Sequence, residues 1–472
     1  MEQLQDILGL ISEIIWGPWV LIPLLLLTGL FLTVRLGLLQ FTKLFHALWL
    51  ALIRRKEKDG VAGDISHYQA LSTALAATVG VGNIAGAGLA IGIGGPGALF
   101  WMWMTGLVGM ATKYSEALLG VKYRRTDAAG EQSGGPMFYL RNGLPGGLGT
   151  TLGMLFAVFG AIAAFGIGNG TQANTVAAQL ESVWNVPPLW SGIAMMVVVG
   201  VVILGGIKSI GRVAAGVVPI MIVLYIGITL LVLIVHVGDI PAALALVVTD
   251  AFTGTAATGG FVGSTVLIAI QMGVARGIFS NESGLGTGGI AAASAKTDQP
   301  VRQAMVSMTQ TFIDTIIVVT MTCMVIIVTG VWSVEEAEDG SLLTSQALAE
   351  GLSTISPALA PWGEYSVALA VMTFAITTVF GWSYFGERCM DFLIGRVAVV
   401  PYRIVFVLVV FIGATVSLDT IWLFSDIANG LMALPNLIGL LLLSPVVAAE
   451  TKKYFANPNW KDPDAPIPDV RA

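Results

Sequence analysis

Of 472 residues, 56% are hydrophobic and 11% are charged, against roughly 25% charged in ordinary soluble domains. Twenty-three Lys and Arg with 29 Asp and Glu cannot cover a water-soluble globule of this size, so apolar side chains must face lipid. The net charge of −6, with no basic run carrying interleaved aromatics, speaks against nucleic-acid binding.

The N-terminus, 1–13, carries acids and no Lys or Arg, the wrong start for a cleaved signal peptide. The first apolar stretch, 16–36, therefore reads as a retained helix, span 0. Spans 1 to 10 follow at 70–95, 97–121, 150–180, 188–206, 213–237, 262–293, 303–332, 361–386, 398–416 and 420–448, each of about 20 residues or more. The fold class expected is all-α integral membrane, with about eleven transmembrane helices. Three histidines and the two cysteines, Cys323 and Cys389 in or beside apolar stretches, imply neither a His-ligated metal site nor a disulfide framework.

Between the spans, Lys and Arg fall on alternate connections. Lys43, Arg54, Arg55, Lys56 and Lys58 follow span 0; Lys122, Arg124, Arg125 and Arg141 follow span 2; Lys208 and Arg212 follow span 4. Lys296 and Arg302 follow span 6, Arg388, Arg396 and Arg403 follow span 8, and Lys452, Lys453, Lys461 and Arg471 follow span 10. The connections at 181–188, 238–261, 333–360 and 417–419 hold none and are acidic where charged, as at Glu335, Glu336, Glu338 and Asp339. The positive-inside rule then predicts a multi-pass protein of the cell's inner membrane, N-terminus outside and C-terminus cytoplasmic. Arg276, near the middle of span 6, breaks the pattern; with Glu282 as the nearest acid in sequence, a structural ion pair and a gating role are both open.

Span 1 reads LSTALAATVGVGNIAGAGLAIGIGGPG, with eight glycines from Gly80 to Gly97. Glycine costs a helix up to about 1 kcal/mol relative to alanine. Close helix packing accounts for Gly86 to Gly94; the dense Gly80-Val81-Gly82-Asn83 points instead to a break whose free backbone groups bind something. The GxGxxG-like spacings here lack a preceding strand, which excludes a dinucleotide site. Span 6 repeats the device, with Phe279-Ser280-Asn281-Glu282-Ser283-Gly284 between apolar halves. Spans 1 and 6 enter from opposite sides, five helices apart. That is a 5+5 inverted repeat with a broken first helix in each half, which predicts a midplane binding site. The divisions expected are 1–66 for the N-terminal helix and basic loop, 67–240 and 241–450 for the two repeats, and 451–472 for a disordered Pro- and Asp-rich tail.

Half-helix N-termini suit a carboxylate, and half-helix carbonyls with Asn, Thr or Ser oxygens suit a desolvated sodium ion. Asn83 and Asn281 occupy matching places. In span 3, the spacing of Asn169, Gln172, Val176 and Gln179 puts them on one helical face, as substrate contacts or as interhelical hydrogen-bond glue. In span 8, Thr377 and Thr378 offer hydroxyls, although threonine in a helix more often bonds its own i−4 carbonyl. Trp382 reads as a packing residue or a pocket wall.

The runs ATVGVGNIAGAG, GGPGALFWMWMTGLVGMATKYSE, GGPMFYL, GNGTQANTVA, GIFSNESGLG and TTVFGWSYFGERC resemble the alanine or glycine:cation symporter family, in the order expected of it. The resemblance implies a leucine-transporter-type fold and sodium-coupled, sometimes proton-coupled, uptake of alanine or glycine with no cofactor beyond Na+. It implies a sodium site at the carbonyls of Ala76 and Val79 with Thr377 and Thr378, and any second site near Thr78, Asn83 and Asn281. The substrate carboxylate would meet the N–H groups of Gly80, Val81 and Gly82, near Thr78, with Gln172, Met272, Gly277, Phe279 and Trp382 around it. A channel would need ring-like filters that one chain of this pattern does not repeat. An embedded enzyme would need His or paired acids at midplane, whereas His46 and His67 fall in an inner loop and His236 near an outer helix end. Glu116 and Asp314 are either structural or serve a proton-coupled variant.

Overall fold

The computed structural model describes residues 2–17, 19–55, 61–127, 130–253, 262–333, 339–416 and 418–462. An amphipathic helix α1 (Glu2–Ile15) precedes α2 (Leu21–Arg35), which is span 0. Between them the Trp16 indole donates to the carbonyl of Asp426, at 2.8 Å. After α3 (Leu44–Arg54), span 1 is two half-helices, α4 (His67–Thr78) and α5 (Gly82–Gly94), bent by 52°. α4 starts at a reciprocal cap, in which the Ser66 hydroxyl accepts from the Gln69 N–H and the Gln69 side chain accepts from that of Ser66. Span 2 is α6 (Gly97–Lys122). A short hairpin, β1 (Arg125–Thr126) and β2 (Gln132–Ser133), and α7 (Pro136–Gly143) lead to span 3, α8 (Gly146–Trp184). Spans 4 and 5 are α9 (Pro188–Ile203) and α10 (Gly206–Val235).

The expected loop 238–261 contains a helix, α11 (Ile240–Thr253). Span 6 is α12 (Val262–Asn281) and α13 (Thr287–Ala293), separated at 282–286 where Glu282, Gly284 and Gly286 all take positive φ. Span 7 is α14 (Pro300–Thr329). The expected outer loop also holds a helix, α15 (Gly340–Ser353), because Asp339 caps it by accepting the N–H groups of Ser341 and Leu342. Glu335, Glu336 and Glu338 lie outside the described residues. Spans 8 to 10 are α16 (Ala360–Ile394), α17 (Val399–Thr415) and α18 (Leu418–Phe455).

Among the described residues, six helices are long and apolar enough to cross a bilayer, or seven with the bent pair α4–α5 counted as one. The lipid-facing side of α10 leaves Ile220, Val223 and Leu224 more than 60% exposed, a surface only hydrocarbon solvates well. α6 packs on α2, α12, α13 and α14; α16 packs on α8, α15 and α4. Cys323 and Cys389 are free and buried.

The tail differs from the disorder expected. Residues 451–455 continue α18, and Trp460 is seated against Phe455 and His46 with Lys43 Nζ 4.5 Å above its ring. Residues 463–472 lie outside the described residues.

The hairpin β1–β2 forms an ionic clasp with the C-terminal end of α16 and the turn after it. Arg396 contacts Asp127 and Glu131 at 2.8 and 2.7 Å, and Arg388 contacts Glu131 at 3.1 Å. Burial alone would raise the Glu131 carboxyl; the Arg396 hydrogen bond and the Arg388 charge outweigh it and hold the pKa below the usual carboxylate value. A depressed pKa contributes stability above the unfolded value of about 4.3, lost as pH falls through the folded value. Glu131→Gln should therefore lower the melting midpoint of the solubilised protein at pH 7, by about 1 kcal/mol of stability. The difference from wild type should vanish only below about pH 4; an equal difference at pH 3 would contradict the clasp.

Candidate functional site

The interruption of span 1 is built from groups on four elements. At 79–81 the Gly80 N–H donates to Asn83 Oδ1 at 2.9 Å, and the Val81 N–H donates to Gln172 Oε1 at 3.1 Å. Gln172 is anchored in turn, its amide donating to the Ile167 carbonyl at 2.9 Å. The Thr378 hydroxyl donates to the Ala76 carbonyl at 2.9 Å. Gly80 is required by closeness: a Cβ there would lie 2.4 Å from Thr378 Oγ1 and 3.1 Å from Gln172 Oε1. α4, α8 and α16 thus converge on one residue, and the polar groups they bring are all buried.

The two interruptions touch. A Cβ on Gly82 would lie 3.1 Å from both Phe279 Cδ1 and Ser280 Cα. Between them stands Asp314 of α14, whose Oδ1 accepts from the Asn83 amide at 2.7 Å and whose Oδ2 accepts from Ser280 and Thr315 hydroxyls at 2.9 Å each. Among the described residues it makes no ion pair; its hydrogen-bond partners are neutral. Asn281 does not meet Asn83 directly. Its amide donates to Thr315 Oγ1 at 3.1 Å and its Oδ1 accepts the Ser283 N–H at 2.9 Å, so the two asparagines are linked through Thr315 and Asp314. Asp314 was legible only as an acid inside an apolar span; its role as the bridge was not.

Other expected residues are dispersed. The Thr78 hydroxyl bonds the Ala74 carbonyl, and Thr377 bonds the Thr373 and Phe374 carbonyls and approaches Met221 Sδ at 3.6 Å. Both show the self-bonding habit of helical threonine. Met272 lies against Gly94 and Gly277 against Thr105, both away from Gly80. Trp382 is buried, its ring filling the space Gly168 leaves and its indole donating to Glu282 Oε1 at 2.6 Å. Gln172, Val176 and Gln179 lie on one uninterrupted α-helical segment of span 3, and Asn169 lies in the turn before it. A π-turn at 166–170 adds a residue to that turn; Asn169 donates to the Phe406 carbonyl, Gln172 reaches span 1 and Gln179 donates to Ser345.

Arg276 does not pair with Glu282. It makes a two-pronged contact with Asp426 of α18, at 2.6 and 3.3 Å, and lies over the rings of Trp422 and Phe279. The partner is 150 residues away, which sequence neighbourhood does not reveal.

A bundle in which two interrupted helices meet back to back, their backbone groups held by buried amides, hydroxyls and a carboxylate, has the leucine-transporter fold. The solved structure of MhsT in complex with L-phenylalanine superposes with a TM-score of 0.57 at 13% identity, over 83% of this chain and 99% of that one. The chain belongs to the sodium:alanine symporter family, whose model matches residues 1–465. It is 49% identical to the sodium/alanine symporter AgcS of Methanococcus maripaludis, over 95% of this chain and 97% of the relative. It is 33% identical to a probable sodium/glutamine symporter, GlnT of Bacillus subtilis, over 96% and 91%. The chain is an amino-acid:cation symporter of the membrane, and not an enzyme.

Proposed function

We propose that the chain carries alanine or glycine into the cell together with Na+, by alternating access. The observation that carries this is the convergence at Gly80: two backbone N–H groups held by amide oxygens stand beside a carbonyl–hydroxyl pair, Ala76 and Thr378. The N–H groups of Gly80 to Gly82 suit the substrate carboxylate. Ala76, Val79, Thr377 and Thr378 supply oxygens to one sodium ion, with Thr377 turning from its own helix to do so. Asn83, Asn281 and Asp314 furnish oxygens for a second cation. Gln172, Phe279 and Trp382 border a space suited to a small side chain, with Thr78, Met272 and Gly277 around it. The Arg276–Asp426 pair, stacked on Phe279 and Trp422, serves as a gate over that space.

The chain then divides into 1–66, two inverted repeats at 67–240 and 241–450, and a cytoplasmic tail from 451. The one-sided Lys and Arg distribution supports an outside N-terminus and a cytoplasmic C-terminus. The energetics are adequate. One charge moved inward yields about 2.3 kcal/mol per 100 mV, and a roughly tenfold sodium gradient adds about 1.4 kcal/mol. Together they hold a zwitterion at several-hundred-fold accumulation.

A second reading, proton coupling, is favoured by one observation: Asp314 is a fully buried carboxylate among neutral partners. Uptake of labelled L-alanine, D-alanine and glycine into proteoliposomes, with imposed sodium or proton gradients, separates the two. Saturable uptake that needs sodium is the expected result. Uptake indifferent to sodium and collapsing with the proton gradient would reverse the ion assignment. In the same assay Asn281→Ala should abolish uptake while the protein still inserts, since Thr315 and the Ser283 N–H lose their link between the interruptions. Normal uptake in that variant would remove Asn281 from the site.

A further inference from the structure

Two charged side chains of α6, Lys113 and Glu116, reach the interruption of span 6 and are not used by the transport site described above. Both are fully buried, three residues apart, with Lys113 Nζ 3.9 Å from Glu116 Oε2. They do not simply pair with one another. Lys113 Nζ donates at 3.1 Å to the carbonyl of Glu282, just past the end of α12. Glu116 Oε1 accepts the N–H groups of Gly284 and Gly286, at 2.9 and 3.0 Å, in the turn that leads into α13. The same oxygen accepts from the Asn436 amide at 2.9 Å, and Asn436 also donates to the Gly284 carbonyl at 2.8 Å.

A helix carries partial negative charge at its C-terminal end and partial positive charge at its N-terminal end. At this interruption the cation meets the carbonyl side and the anion meets the N–H side. The polarity is that of the backbone, not of the pair alone. The approach is tight: a Cβ on Gly288 would lie 2.4 Å from Lys113 Cδ and 3.0 Å from Glu116 Oε2. The Glu282 whose carbonyl Lys113 holds also offers its carboxylate to the Trp382 indole and the Thr287 hydroxyl, at 2.6 Å each.

We propose that Lys113 and Glu116 are positioning residues that hold span 6 open, each charge matched to the chain end of opposite sign, and that through Glu282 they fix Trp382 against the substrate space. The N–H groups at 284 and 286 are thereby occupied by the chain's own carboxylate. The link to Trp382 rests on the substrate site proposed above; the holding of span 6 does not.

Hydrogen exchange of backbone amides at 282–287 in the solubilised protein tests the holding directly. Glu116→Gln and Lys113→Gln should each speed exchange there by about tenfold, with distant helices unchanged, because a neutral group replaces a charge matched to the chain end. The exchanged pair Lys113→Glu with Glu116→Lys preserves an ion pair but reverses its polarity, and should exchange at least as fast as either single variant. In transport, Lys113→Gln should raise the alanine KM about tenfold with Vmax within about twofold, and Lys113→Arg should restore it. Wild-type exchange at 282–287 in both single variants would overturn the proposal. So would wild-type exchange and uptake in the reversed pair, the behaviour of an ordinary ion pair. If the reversed pair does not insert, the single variants decide by exchange alone. Absence of sodium-dependent uptake in the wild-type protein would sink the transport reading and leave the exchange comparison standing.

Discussion

Asp314→Ala should reduce coupled uptake by at least about a hundredfold, because three buried donors lose their acceptor at a cost of about 1–3 kcal/mol each. The Asn83 amide, the Ser280 hydroxyl and the Thr315 hydroxyl all point at that carboxylate. Asn83 matters most, since its other end receives the Gly80 N–H; freeing its amide loosens the span 1 interruption from α14. Asp314→Asn separates charge from shape. It keeps one acceptor oxygen, so packing survives better, but it removes the negative charge a second cation would require. Uptake in Asp314→Asn that is near wild type and keeps its sodium dependence would show that the carboxylate only ties helices together. Loss of uptake with normal insertion and melting would support its use by a cation.

Gly80→Ala should be nearly as damaging, and through a different route. The new methyl would stand 2.4 Å from Thr378 Oγ1, closer than any real contact, and 3.1 Å from Gln172 Oε1, so the Thr378 hydroxyl must turn away or α16 must shift. Either takes Thr378 off the Ala76 carbonyl and crowds Gln172 at the Val81 N–H. The expected result is a rise of at least about tenfold in the sodium concentration for half-maximal uptake, corresponding to about 1.4 kcal/mol, with little residual transport. Gly82→Ala is the milder comparison, its Cβ meeting Phe279 and Ser280 at 3.1 Å, where a ring can give by a few tenths of an ångström. Equal sodium dependence in wild type and Gly80→Ala would separate Thr378 from the ion site.

The class and the two interruptions were legible because they are local. Hydropathy marks lipid-facing helices, and Gly80-Val81-Gly82-Asn83 and Ser280-Asn281-Glu282-Ser283-Gly284 break their own periodicity. The extra helices α11 and α15 were not, being connections too short to read as bilayer spans. The partners of the buried charges were also hidden. Arg276 to Asp426, Asn83 to Asp314 and Lys113 to Glu282 all join distant parts of the chain, and a single sequence carries no signal of such pairing. The π-turn at 166–170, which contains Asn169, carries no signal in the spacing of the amides.

The Arg124 guanidinium donates to four carbonyls, those of Ala293, Ala295 and Thr297 at and after the end of α13 and that of Ala62 before α4. Ile65 and Ala295 run side by side there as a one-residue parallel bridge. Arginine stays charged at any physiological pH, so this joint has no protonation switch. The start of span 1 and the end of span 6 are thereby fastened to each other at a joint that no change of pH unlocks.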